Sequence, residues 1–369
     1  MSITSNIRIG FVGTGWSDRV QIPVFRMAGL VPQAICSAHL ENAQRVAQKQ
    51  SIPEVYPSWR ELIQSPNVDV VSVCSPPATH AEITVAALQA GKHVICEKPT
   101  ACNVGEAETM LAAAQAAPAQ LAIIDHELRF EPARLKLRQL VKDGYVGTPL
   151  QIQLDRLGSE RLNADLPWNW LCDQAQGGGM LGALGSHLFD QARWLYGRVD
   201  ALTAQLQTAY IFRSDPASGQ QRRCTADEHA QLLLRFLNGI QGQITCSGIT
   251  PGGFGMTIRV VGTTGALLLD AQDRLWGMQG NQLLGREWSP IETGRDEAVI
   301  GQLRAINPTS SFVSPFTVGT YYFGKALLTA LEQGDHTFGD AASLYDGLVV
   351  QRALDAARKS AKEQSWVNL

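Results

Sequence analysis

Apolar residues along the first third of the chain come in short runs closed by turn residues. Ile7–Val12 reads as a buried strand that stops at Gly13-Thr14-Gly15-Trp16. Val31–Cys36, Val68–Cys74, His93–Cys96 and Leu121–Ile124 repeat the pattern, the second of these four being stopped by Ser75-Pro76-Pro77. The intervening segments Glu41–Gln50, His80–Ala90 and Val104–Ala117 are helical in composition, with Gly91 and Pro118 as stop signals. Short apolar strands alternating with helices predict right-handed crossovers and a parallel sheet covered on both faces.

Beyond about Asp125 the period changes. One helix, Pro132–Asp143, is followed by Gly144-Tyr145-Val146-Gly147-Thr148-Pro149 and then by alternating stretches: Leu150–Leu157, Ala201–Tyr210, Ala230–Phe236, Gly242–Ser247 and Thr257–Val261. Asn238-Gly239, Pro251-Gly252-Gly253 and Thr264-Gly265 separate several of them, which predicts a mostly antiparallel sheet. Tyr321–Glu332 and Ala341–Lys362 read as helices, and the polar stretch Arg213–Arg223 as a mobile loop. Two domains are expected: an α/β domain at 1–125, and an α+β domain at 126–369 with an open, mostly antiparallel sheet flanked by helices. The C-terminal helices are candidates to pack back on the first domain.

Composition narrows the function classes. The 369 residues are 45% hydrophobic and 18% charged, an ordinary globular balance. A net charge of -3 leaves no basic footprint for nucleic acid. No apolar run reaches membrane-spanning length. Met1 to Arg8 lacks the pattern of a signal peptide and leads directly into a strand, so a cytoplasmic location is expected. Seven cysteines, with no CxxC and no zinc-like spacing, predict no metal and a reducing compartment. Cys36, Cys74, Cys96 and Cys246 sit in apolar strands, where a thiol acts as a small hydrophobe.

The turn Gly10-Phe11-Val12-Gly13-Thr14-Gly15 lies where a strand meets a helix, the place at which glycines admit a pyrophosphate to a helix N-terminus. Gly13, Gly15 and Trp16 are therefore candidate cofactor residues. The third glycine of the usual pattern is replaced by Asp18, which would repel phosphate unless turned away. NAD sites usually carry an acid about 20 residues on, yet no Asp or Glu stands between Asp18 and Glu41. The second strand ends Cys36-Ser37-Ala38-His39, where Ser37 offers a small hydroxyl and His39, with Arg45 or Lys49, positive charge. NADP(H) is thus favoured and NAD(H) possible, although the usual adjacent arginine is replaced by Ala38.

The order of motifs carries a resemblance. The glycine turn, Ser75-Pro76-Pro77-Ala78-Thr79-His80, Glu97-Lys98-Pro99, Arg129-Phe130-x-Pro132, Gly144–Pro149, and Gly177-Gly178-Gly179 leading to His187 and Asp190 together resemble the Gfo/Idh/MocA oxidoreductases, the family of glucose-fructose oxidoreductase and inositol dehydrogenase. The resemblance implies an N-terminal Rossmann domain, a C-terminal open-sheet domain and NAD(P) across the cleft. It implies that Ser75, Pro76, His80, Glu97 and Lys98 line the cofactor, that Lys98 touches substrate, and that Lys98-Pro99 is cis. It further implies a homodimer or homotetramer formed through the C-terminal sheet.

A carbonyl receiving hydride needs a positive group and a proton donor beside the developing alkoxide. Lys98, at the carboxyl end of a parallel strand, fits the first role. His187 is the candidate acid/base, with Asp190 one turn on as its orienting acid or a plain surface acid. Many relatives carry an Asp four residues before this histidine, where Ala183 stands here. Asp125, His126 or Glu127 are candidate substitutes. Arg129 is read as holding an anionic substrate or pairing with Glu127 or Glu131. Trp168, near Trp170, is read as a substrate wall or as core. The expected activity is hydride transfer between a nicotinamide cofactor and a sugar, cyclic polyol or related carbonyl compound. The alternatives are a catalytically silent nucleotide-binding regulator and a redox-neutral lyase or glycosidase with tightly bound NAD.

Overall fold

The computed structural model describes residues 7–285, 287–306, 313–335 and 338–369. The expectation for the extreme N-terminus falls largely on residues 1–6, outside the described residues. Two compact units form, Met1–Glu131 with Asp296–Leu348 and Pro132–Arg295 with Val349–Leu369.

In the first unit the strands β1 (Arg8–Val12), β2 (Val31–Cys36), β3 (Glu54–Tyr56), β4 (Val70–Val73), β5 (His93–Cys96) and β6 (Ala122–Ile124) lie in the order 6-5-4-1-2-3. All pair in parallel, and Ala342–Ser343 adds an antiparallel edge beside β6. Helices cover both faces, which is why these strands are continuous apolar runs: Ile9, Phe11, Val70, Val71 and Val73 are fully buried. The strand order reverses between β1 and β4, so the carboxyl ends of those strands open a ligand crevice.

Two backbone features follow directly from residue type. The helix after β1 begins as a wide π-turn, Ser17–Gln21, before the α-helix Ile22–Ala28. Pro23 has no N–H to donate into that turn and crowds the carbonyl four residues back, so the turn widens instead of kinking. The long helix Pro315–Gln333 carries Gly319, at which a Cβ would lie 2.4 Å from the carbonyl oxygen of Glu127. Helix propensity favours Ala over Gly by about 1 kcal/mol, but a backbone oxygen cannot yield. Gly319→Ala is therefore expected to destabilise the protein by roughly 2–3 kcal/mol, read as a lower urea midpoint at unchanged slope. A stabilised variant would refute that close approach.

The second unit is built on β7 (Pro149–Leu157), β8 (Val199–Gln207), β9 (Phe212–Ser214), β10 (Gln221–Arg223), β11 (His229–Phe236), β12 (Gln241–Ser247), β13 (Gly255–Gly262), β14 (Gly265–Leu269), β15 (Leu275–Gln279) and β16 (Ser289–Ile291). The large sheet runs 16-15-14-13-7-12-11-8 and ends on Val367–Asn368. Every pair is antiparallel except β7 with β12. The two-residue period places Ala230, Leu232, Leu234 and Phe236 inside while Gln231, Leu233 and Arg235 face outwards.

The polar stretch read as a mobile loop is instead the hairpin β9–β10. Arg213 explains the difference, because its side chain is fully buried. Its guanidinium donates to the carbonyls of Asn163 and Arg161 at 2.8 and 2.9 Å and to Glu228 Oε1 at 2.6 Å. Composition reports polarity but not whether the polar group is satisfied internally. No helix among the described residues is long and apolar enough to cross a membrane.

Candidate active site

The glycine turn closes tightly on its neighbours. Gly13 has φ +114, and a Cβ there would lie 2.4 Å from the carbonyl oxygen of Cys74, while its N–H donates to Cys36 O. Only glycine fits such a position. Gly15, two residues on, is exposed, and a Cβ there would meet nothing within 4 Å. The turn is thus pinned at Gly13 and open at Gly15, a cradle that fits a pyrophosphate. Trp16 packs edge-on to Phe316 (ring centroids 6.4 Å apart) at the margin of an apolar cluster with Val20, Val24 and Val318.

Asp18 turns away from the glycine turn. Its carboxylate accepts from Lys49 Nζ at 2.9 Å and from Gln50 Nε2 at 2.9 Å. Burial would raise its pKa, but the hydrogen bonds from Gln50 and Lys49 outweigh burial and hold it below the usual carboxylate range. Lys49 is consequently engaged by Asp18 and is not a ready partner for a cofactor phosphate. At the end of β2, Ser37 is half-buried and Ala38 and His39 are exposed; His39 Nδ1 lies 3.9 Å from Glu41.

The Ser75–His80 segment is braced from within. Ser75 Oγ lies 2.6 Å from Thr79 Oγ1, and Pro76 is exposed at the turn. His80 is 1% exposed, its Nε2 2.8 Å from the Ser75 carbonyl and its Nδ1 3.0 Å from the Pro99 carbonyl. His80 therefore ties the Ser75 turn to the Lys98-Pro99 turn rather than presenting its ring to a ligand. Burial lowers its pKa, against the carbonyls of Ser75 and Pro99. The Lys98-Pro99 bond is cis.

Glu97 and Lys98 follow β5 directly, and Glu97 belongs to a buried acid cluster. Gln21 Nε2 donates to Glu97 Oε1 at 3.0 Å and to Asp125 Oδ2 at 2.9 Å, and Gln21 Oε1 accepts from Ser72 Oγ at 2.7 Å. One amide thus bridges two carboxyl groups and is itself oriented by a strand hydroxyl. Burial, then the charge of Asp125, pushes Glu97 up; burial raises Asp125; burial, then Asp125 and Glu97, raises Glu127. Lys98 opposes all three shifts and is the cation of the cluster. Two carboxyls sharing one donor cannot both ionise cheaply in a dry site, so the pair titrates as a unit and keeps a proton near neutrality. Asp125 and Glu127 were named from sequence as neighbours of interest. Gln21 and Ser72 were not, although a glutamine inside Val20-Gln21-Ile22 and a serine inside Val70-Val71-Ser72-Val73 are polar residues in buried runs, a legible signal.

Arg129 sits in this unit with 4% exposure, its guanidinium 3.5 Å from Asp346 Oδ1 and donating to the Asp340 carbonyl at 3.2 Å. These bonds fasten the 340–346 segment to Arg129.

In the second unit, His187 and Asp190 are both 1% exposed on the helix Ser186–Tyr196. A π-turn, Leu181–Gly185, precedes that helix and contains Ala183. Trp168 is 8% exposed: the Arg222 guanidinium lies 3.4 Å from its ring centroid, and its Nε1 donates to the Arg223 carbonyl. Its ring is part of the packing, not an open substrate wall. Asp227, which the sequence did not single out, accepts from the Leu181 N–H at 2.8 Å and so caps the turn leading to His187. A Cβ on Gly179 would lie 2.3 Å from Asp227 Oδ1, so that glycine makes room for the acid.

Burial pushes Asp227 up to about 6, against the Leu181 N–H and the charge of Arg358. A raised acid favours the folded state most below its unfolded value, about 4, and loses that contribution as pH rises through about 6. Asp227→Asn keeps an oxygen for Leu181 and removes the ionisation. Relative to the parent, its stability is expected to gain between about pH 4 and 6, by up to about 3 kcal/mol above that window. Thermal unfolding at acid and alkaline pH reads this; an identical Tm difference at both would refute it.

Comparison with known proteins follows this geometry. Residues 7–124 match the family described as "Oxidoreductase family, NAD-binding Rossmann fold", and residues 135–268 match the "GFO/IDH/MocA C-terminal domain". An uncharacterized oxidoreductase of Synechocystis sp. is 34% identical over 276 residues, 74% of this chain and 74% of that protein. The crystal structure of an oxidoreductase domain protein from Kribbella flavida superposes with a TM-score of 0.86 at 27% identity, covering 99% of both chains. Levoglucosan dehydrogenase in complex with NADH and levoglucosan shares the fold, with a TM-score of 0.86 at 23% identity and 99% coverage of both chains.

Proposed function

The chain belongs to the GFO/IDH/MocA family of NAD-binding oxidoreductases, and on that footing we propose that it transfers a hydride between nicotinamide C4 and a sugar, cyclic polyol or related carbonyl compound. The observation that carries this reading is the cluster around Lys98. A half-buried lysine follows a strand end of the parallel sheet, set among carboxyl groups whose pKa values burial raises. A positive charge at that position is what an oxygen turning anionic during hydride delivery to a carbonyl requires. The fold shared with levoglucosan dehydrogenase supports a sugar-like substrate.

Gly13 and Gly15 would hold the pyrophosphate, with Ser75 and Pro76 at the neighbouring strand end. When bound, the nicotinamide cofactor supplies or accepts the hydride. Lys98 polarises the substrate oxygen and orients the carbonyl. His187, in the second unit, is the acid/base, and Asp190, one turn along its helix, the orienting acid. NADP(H) is preferred with NAD(H) accepted, because no acid stands at Ser37-Ala38-His39 to repel a 2′-phosphate. With Lys49 held by Asp18, the preference rests on that missing repulsion and on His39. The large sheet of the second unit is the surface for homodimer or homotetramer formation.

The test mixes pure protein with NADPH or NADH and a panel of keto-sugars and inosose-type carbonyls, following absorbance. Turnover with kcat/KM for NADPH at or above that for NADH supports both parts. A strong NADH preference overturns the cofactor part alone. Ala183 favours a second reading, cofactor binding without turnover; fluorescence titration of NADPH alongside total silence across the panel would select it.

A further inference from the structure

Apart from the Lys98 cluster, the second unit holds two thiols side by side. Cys172 and Cys224 are buried with Trp168 in one small cluster. Their backbones are joined directly, since the N–H groups of Thr225 and Ala226, which follow Cys224, both donate to the Cys172 carbonyl, at 2.8 and 3.2 Å. That pairing holds the two residues within the reach of a disulfide. Arg161 Nη2 donates to Cys172 Sγ at 3.1 Å. Charged groups near the pair include Glu228, bonded by Arg213 and 3.8 Å from Arg161, Arg213 itself, and Arg222, whose guanidinium lies over Trp168. The Arg161 contact places a positive charge and a hydrogen-bond donor directly on the Cys172 sulfur.

We propose that Cys172 and Cys224 are a reversible oxidation site, closed to a disulfide by hydrogen peroxide and reopened by thiol. Cys172 thiolate attacks one peroxide oxygen: an S–O bond forms, the O–O bond breaks and hydroxide leaves, taking up the thiol proton as water. Cys224 sulfur then attacks the sulfenic sulfur: the S–S bond forms, the S–O bond breaks and the hydroxyl departs as water with the Cys224 proton. Two thiols and one peroxide thus become one disulfide and two waters. The division of roles follows the surroundings, because burial and the neighbouring Cys172 push the Cys224 thiol up to about 11, whereas Cys172 has the arginine.

The location gives the bond a consequence. Residues 224–228 run along 172–181: Gln174 N–H donates to Thr225 Oγ1, Met180 N–H to the Asp227 carbonyl and Leu181 N–H to the Asp227 carboxylate. Cys172–Cys224 closes one end of this ladder and Asp227 the other, next to the turn that opens the His187 helix. A disulfide would therefore lock the segment that fixes where that helix begins.

Reduced, full-length protein is treated with dilute hydrogen peroxide, alkylated under denaturing conditions and digested with trypsin without reduction. Cleavage at Arg193 and Arg223 separates the two cysteines into different peptides. The expected product is the cross-linked pair, lighter by two hydrogens and lost on adding dithiothreitol. It should form about tenfold faster than any change at the buried strand cysteines Cys36, Cys96 and Cys246. Cys224→Ser should trap a dimedone-reactive sulfenic acid at Cys172. Half-buried Cys102 is the internal standard. Full alkylation of both Cys172 and Cys224 at a dose that has oxidised Cys102 would overturn the proposal. The parent protein alone decides it should the variant fail to fold, and the readout does not depend on any enzymatic activity.

Discussion

Lys98→Met is expected to lower kcat/KM for hydride transfer by about 10³-fold, or roughly 4 kcal/mol of transition-state stabilisation. Methionine matches much of the side-chain volume, so the change removes charge and hydrogen-bond donation rather than packing. The loss should fall mainly on kcat, because the charge matters most when the oxygen becomes anionic. The neighbouring carboxyls make the effect separable from misfolding. Glu97 and Glu127 are already driven towards the neutral form by burial, and losing Lys98 drives them further the same way. The variant should therefore stay folded and still quench on titration with NADPH. A loss below about tenfold would mean that another group carries the oxyanion and that Lys98 is structural.

Gln21→Leu is expected to give the largest loss of stability of any conservative change in the first unit, roughly 3–5 kcal/mol in a urea melt. The side-chain amide links three partners, Glu97, Asp125 and Ser72, at 2.7–3.0 Å. Leucine fills the space but leaves two buried carboxyls and a hydroxyl without that donor and acceptor, which costs far more than one average hydrogen bond. Ser72→Ala, which removes only the outer partner, should cost about 1 kcal/mol. Gln21 also lowers the pKa of Asp125, so any activity retained by Gln21→Leu should need higher pH. An acid limb that does not move would uncouple the amide from the cluster.

Several parts of this architecture were legible in the sequence because the physical signal is local. A two-residue alternation or an unbroken apolar run reports which faces of a strand are buried, so β2, β5, β11 and β12 were found within a residue of their ends. Gly13 was legible because one residue type alone tolerates its backbone angle. Lys98 was legible because the end of a parallel strand is a ligand position whatever the fold around it. The glycine-rich approach to His187 was visible, but the π-turn within it was not.

What tertiary structure decided were the partners of polar side chains. Lys49, read as a candidate for adding positive charge at the cofactor site, is engaged by Asp18, and Arg129 lies beside Asp346 and the Asp340 carbonyl. Trp168, read as substrate wall or core, lies under Arg222. Arg213 converts a polar stretch into an ordered hairpin. The short strand β3 and the helix Trp59–Gln64 also lacked a local signature. A charge or an indole announces its chemistry in the sequence, but the energy of burying it depends on groups tens or hundreds of residues away. The sequence therefore determined the sheets, the glycine turn and Lys98. Only the folded chain decided that Gln21 and Ser72 tie Glu97 to Asp125, and that Asp125 and Glu127 lie within electrostatic reach of that lysine, because their pairing exists in space and in no stretch of sequence.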